Sequence, residues 1–137
     1  MSFQVDRIDH VEVFVRDIDE SARWYQRVLG LRVIHRWEPE PAFIGAGGTC
    51  LALFLRSSRE TASRTLKESV GGSPGWRRVA WRTDKQGFET AQRHLNECGV
   101  AFRGPIDHEI AFSIYFTDPD GNPLEITWYP GGPPDSE

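Results

Sequence analysis

A chain of 137 residues with 39% apolar side chains suffices for one compact domain, or for two small repeated units sharing a core. Its formal net charge of −4, with no run of Lys or Arg longer than two, leaves no electrostatic footprint for nucleic acid or an anionic membrane surface. No stretch approaches the roughly 20 apolar residues needed to span a bilayer, and the opening "MSFQVDRIDH" has no signal-peptide-like apolar run, so a cytoplasmic protein is expected.

In "IDHVEVFVRD", Val11, Val13 and Val15 alternate with His10, Glu12 and Phe14, which predicts a strand with one polar face. The following "DIDESARWYQRVLG" has a capping box at Asp17 and Glu20, apolar positions at Ala22, Tyr25, Val28 and Leu29, and Gly30 as a stop, which predicts a helix. "LRVIHRW" and "CLALFL" read as strands, separated by the Pro- and Gly-containing "EPEPAFIGAGGT". Residues 58–75, rich in Ser, Thr, Arg and Gly with little periodicity, read as a linker.

The order then repeats. "RRVAWRT" is a strand, "DKQGFETAQRHLNECG" a helix with Phe88, Ala91, Leu95 and Cys98 on one face and Gly99 at its stop, and "VAFRGPI", "IAFSIYF" and "PLEITWY" are strands. Residues 1–57 and 76–130 therefore read as two β-α-β-β-β units of an α+β fold, each too small to bury its sheet alone, and residues 131–137 as a disordered tail. Cys50 and Cys98 lack metal-motif spacing and read as reduced, partly buried thiols.

With "IDHVEVFVRDIDESARWYQRVLGL" opening the first unit and "YFTDPDGNPLEI" closing the second, the chain resembles the vicinal oxygen chelate superfamily of glyoxalase, bleomycin-resistance and extradiol-dioxygenase proteins. The resemblance implies that both units form a curled, barrel-like mixed sheet around a concave cleft. It also implies one divalent metal, Fe, Mn, Ni or Zn, with His10 as its first ligand and Glu125 as its last, leaving positions open for a chelating substrate. A homodimer and a small-molecule ligand are implied as well.

The third ligand, usually a histidine, is expected at the start of "RRVAWRT", where this sequence has Arg. Because Val79, Trp81 and Thr83 form the apolar face, parity directs Arg78, Ala80 and Arg82 to the cleft and makes Arg78 the stand-in. A guanidinium stays protonated and cannot coordinate a cation. Matching "LAL" to "LEI" makes Ala52 the first unit's equivalent of Glu125, so no spare carboxylate comes from that side. Two outcomes stand open: Arg78 pairs with Glu125 and the metal site is lost, or Arg78 turns away and His108 supplies the missing nitrogen.

Ser113 and Tyr115 share a parity before the "DPDGN" turn and are candidates for ligand contact, as are Arg78 and Phe14, the last able to stack on a planar substrate. Glu125 and His108 are the candidate acid–base groups. Phe14, Trp37, Phe43, Trp76 and Phe112 read first as core aromatics, His35 and His94 as structural or solvated, and Asp118 and Gly121 as turn-setting residues without a catalytic role. Three functions fit: a metal-dependent lyase or extradiol-type dioxygenase, a metal-free binding or sequestering protein, and a metal-free enzyme in which Arg78 clamps a substrate carboxylate or phosphate.

Overall fold

The computed structural model describes residue 4 and residues 7–58 and 78–133. The expected linker beyond Ser58, Trp76 and the end of the tail fall outside the described residues. The chain divides into two compact units, Met1–Pro74 and Gly75–Glu137.

The first unit runs β1 (His10–Val15), α1 (Ile18–Leu29), β2 (Arg32–Arg36), β3 (Ala42–Ala46) and β4 (Thr49–Leu55), ending in a short 3-10 turn. Asp17 caps α1 by accepting a hydrogen bond from the Glu20 amide at 2.8 Å, and Gly30 closes it in the left-handed region at φ 67°, as the capping box and glycine stop predict. The helix buries Ile18, Ser21, Ala22, Tyr25 and Val28 and packs on β2, β3 and β4, whose Ile44, Leu51 and Leu53 are fully buried. The sheet order is β1-β4-β3-β2, with β1 parallel to β4 and the other pairs antiparallel.

The structure adds β3, which the sequence pattern reads only as a spacer. Gly45 must be a glycine because the hairpin to β4 is tight: a Cβ there would lie 2.1 Å from the Thr49 carbonyl oxygen. Strand propensity is low there, and pairing between β2 and β4 imposes the conformation instead.

The second unit repeats the plan with β5 (Val79–Arg82), α2 (Lys85–Glu97), β6 (Arg103–Asp107), β7 (Phe112–Thr117) and β8 (Pro123–Trp128) in the order β5-β8-β7-β6. Asp84 caps α2 through the Gly87 amide at 2.8 Å. Ile114, Phe116, Leu124 and Ile126 are buried with Phe88 and Leu95 of α2. The fold is thus α+β, two mixed four-stranded sheets of identical connectivity. Among the described residues no helix is long and apolar enough to cross a membrane.

The aromatic residues divide. Phe112 stacks on Trp128 at 5.6 Å, whereas Trp37, read as core, is 41% exposed. Trp37 follows β2, the last strand of its sheet, and its ring lies 4.3 Å from His35 and 4.9 Å from Phe43.

Candidate functional site

In the second unit one rung of the sheet builds the site. The ladder sets Arg103 opposite Tyr115, Tyr115 opposite Glu125 and Glu125 opposite Ala80. Side chains alternate along a strand, so Arg78, two residues before Ala80, shares this face. Its Nη1 lies 4.0 Å from Glu125 Oε1. The Ser113 hydroxyl donates to Glu125 Oε2 at 2.7 Å and lies 3.1 Å from the Thr127 hydroxyl. Both carboxylate oxygens thus have partners, which is what a carboxylate only 18% exposed requires.

Two cations flank one ring. The guanidinium carbons of Arg78 and Arg103 stand 4.5 and 4.9 Å from the Tyr115 ring centroid, and the Tyr115 hydroxyl is hydrogen-bonded to His108 Nε2 at 2.5 Å. Arg78, Arg103, Ile106, His108, Tyr115 and Glu125 line a cavity of about 390 Å³. Five of the expected site residues, Arg78, His108, Ser113, Tyr115 and Glu125, are therefore contiguous in this unit.

Sequence reasoning assigned Arg103 no role. Arg103 and Ile106 would take opposite faces of a regular strand, but a register shift between them pairs Arg103 with Tyr115 and Ile106 with Ser113, so both face the cavity. The Gly104-Pro105 dipeptide inside "VAFRGPI" is the signal of this bulge.

The first unit carries the corresponding rung with different chemistry: His35 opposite Phe43, Phe43 opposite Ala52, and Ala52 opposite Glu12. His10 stands two residues before Glu12 as Arg78 stands before Ala80, and its ring lies 4.9 Å from Phe43 as Arg78 lies against Tyr115. The ladder therefore makes Ala52 the counterpart of Glu125, and His10 that of Arg78. Phe14 follows on the same face of β1, half-buried.

Two sheets of this connectivity, with a histidine opening one and a carboxylate closing the other, agree with a family match. The sequence model of the Glyoxalase/Bleomycin resistance protein/Dioxygenase superfamily matches residues 7–126. The chain belongs to this superfamily. Among its relatives, metapyrocatechase of Geobacillus stearothermophilus is 30% identical over 127 residues, which are 90% of this chain but only 35% of that protein, so the chain spans about a third of that relative. Glutathione transferase FosA of Serratia marcescens is 28% identical over 119 residues, 87% of this chain and 78% of FosA. Virulence protein STM3117 of Salmonella typhimurium is 30% identical over 131 residues, 91% of this chain and 85% of STM3117. The crystal structure of STM3117 superposes with a TM-score of 0.68 at 22% identity, over 93% of this chain and 99% of that one.

The divalent ion implied by the superfamily does not fit the donors of this member. The second unit sets a guanidinium, which has no lone pair to give, against the carboxylate that would close the site. Among the described residues no three His, Cys, Asp or Glu side chains gather as a metal-ligand group. In the first unit both His10 nitrogens face carboxylates, Nδ1 at 2.8 Å from Asp9 and Nε2 at 3.2 Å from Glu12. A neutral imidazole can donate to only one of these carboxylates, so both bonds form together only when His10 is protonated.

The Asp9 hydrogen bond raises the His10 pKa above its usual value of 6.5; partial burial opposes it, and Glu12 adds to the rise. A raised folded-state pKa means that the ion pairs stabilise fully below about pH 6.5 and that this contribution is lost as pH rises through the folded value. Asp9 is 86% exposed, so the effect is a few tenths of a kcal/mol. NMR titration should find His10 above 6.5 in the native protein and lower in Asp9→Asn; identical titrations would remove Asp9 as the cause. Burial also pushes the neighbouring Cys50 thiol up, and the charge of Asp9 adds to the rise.

Proposed function

We propose that this superfamily member binds a small molecule in the cavity of its second unit without a divalent metal, as a binding or sequestering protein. The observation that carries the reading is the Arg78–Glu125 pair, with Nη1 4.0 Å from Oε1 where the superfamily's pattern calls for two metal ligands. Of the two outcomes left open by the sequence, the ion pair agrees with this geometry: Arg78 faces Glu125, and His108 engages Tyr115 instead of completing a ligand set. The cavity's size falls at the small end of the range for ligand sites.

A second reading is favoured by the His108–Tyr115 hydrogen bond at the cavity wall. In a metal-free enzyme this pair and Glu125 would move a proton on a substrate held by Arg78. The names of the relatives metapyrocatechase and glutathione transferase FosA, both enzymes, agree with catalysis as such. The reading includes a homodimer located in the cytoplasm.

Elemental analysis of protein purified without chelator tests the metal-free reading. Metal well below one equivalent is expected. Stoichiometric Fe, Mn, Ni or Zn, lost in Glu125→Gln or His10→Ala, would overturn it. Turnover that disappears in His108→Ala in metal-free buffer would decide for the enzyme over the binding protein.

A further inference from the structure

Resting on the reading of this cavity as a metal-free binding site, we infer that its ligand carries an oxyanion, a carboxylate or a phosphoryl group, and that Arg103 holds it together with Arg78. The charges of the lining are unbalanced: two guanidiniums stand against one carboxylate, which leaves one positive charge in excess within a chain of net charge −4. Among the described residues no carboxylate lies within salt-bridge reach of Arg103, and Glu125 reaches only one nitrogen of Arg78, at the long limit of such a contact. Arg78 Nε is buried with no hydrogen-bond partner. A buried unsatisfied donor is costly unless something supplies an acceptor.

Placement favours the same occupant. Both guanidiniums lie within 5 Å of the Tyr115 ring centroid and both line the same cavity, so an anion bound there meets two positive charges. Guanidiniums present paired N–H donors that match the two oxygens of a carboxylate or phosphoryl group. Glu125 does not repel such a ligand at full strength, because Arg78 and the Ser113 hydroxyl already answer its oxygens. The bulge that turns Arg103 inward also turns Ile106 inward, giving the anion an apolar wall for the body of its molecule. At the corresponding rung positions the first unit has His10 and His35, so the paired guanidiniums belong to the second unit alone.

The test is an amide NMR titration of the full chain at low ionic strength with EDTA present, using benzoate, phenyl phosphate and the neutral benzamide as probes. At least one anion should bind about tenfold or more tightly than benzamide, with shifts centred on Arg103, Tyr115 and Glu125. Whichever anion binds more tightly identifies the oxyanion as carboxylate or phosphoryl. Arg103→Met should weaken the anion by about tenfold or more and leave benzamide unchanged, and Arg103→Lys should lose less, at an unaltered melting temperature. If neither anion outbinds benzamide, or if Arg103→Met binds anions as the native protein does, the clamp is wrong. Stoichiometric native metal would instead defeat the metal-free reading while leaving the EDTA titration standing.

Discussion

Arg78→His should raise the affinity of the protein for Ni²⁺ or Mn²⁺ by about a hundredfold. Two unit charges 4 Å apart repel by about 4 kcal/mol at an effective dielectric near 20, and a dication beside Glu125 would face the Arg78 guanidinium at such a distance. Arg78 is 23% and Glu125 18% exposed, so solvent screens part of this, and a hundredfold gain, about 2.7 kcal/mol, asks for less than the full repulsion. The substitution also adds a neutral imidazole beside Glu125, with His108 lining the same cavity. Calorimetric titration of both proteins with Ni²⁺ and Mn²⁺ checks it. Tight binding by the native protein that is unchanged in the variant would show that Arg78 does not block the site.

Whether such a site was visible in the sequence depends on the kind of signal each residue left. The capping box at Asp17 and the glycine stop at Gly30 are local, and the structure has a helix beginning and ending there. Strand parity put Arg78 on the face of Glu125, and the ladder agrees, because β5 is a regular strand paired in register with β8. The same logic set Ser113 and Tyr115 together, where Ser113 bonds Glu125 and Tyr115 bonds His108. What escaped was non-local: β3 exists because its neighbours pair with it, and Arg103 faces the cavity beside Ile106 because of a bulge. Alternation alone cannot register an inserted residue. Trp37 escaped for a third reason, since hydrophobicity says nothing of whether a ring ends at a sheet edge.

Asp118→Ala should destabilise the fold by about 3 kcal/mol and lower the melting temperature by about 10 °C without weakening ligand binding by the molecules that remain folded. Asp118 is 3% exposed in the turn between β7 and β8. Its Oδ1 accepts from the amides of Asp120 and Asn122 at 2.9 and 2.8 Å, and its Oδ2 from the Asn122 side-chain amide at 2.8 Å. Hydrogen bonds to a charged acceptor contribute more than neutral ones, and truncation strips these donors of their partner in a part-buried turn. Asp118→Asn keeps one oxygen for the backbone amides but turns an NH₂ toward another NH₂ or loses the backbone contacts, so it should fall between native and alanine. The turn holds β7 and β8 in the register that pairs Tyr115 with Glu125, yet Asp118 is not among the residues lining the cavity. Thermal melts and benzoate titrations below the melting range separate the two roles: a graded loss of stability at constant affinity is expected. Affinity lost in Asp118→Asn at full folding would instead make Asp118 part of the binding machinery.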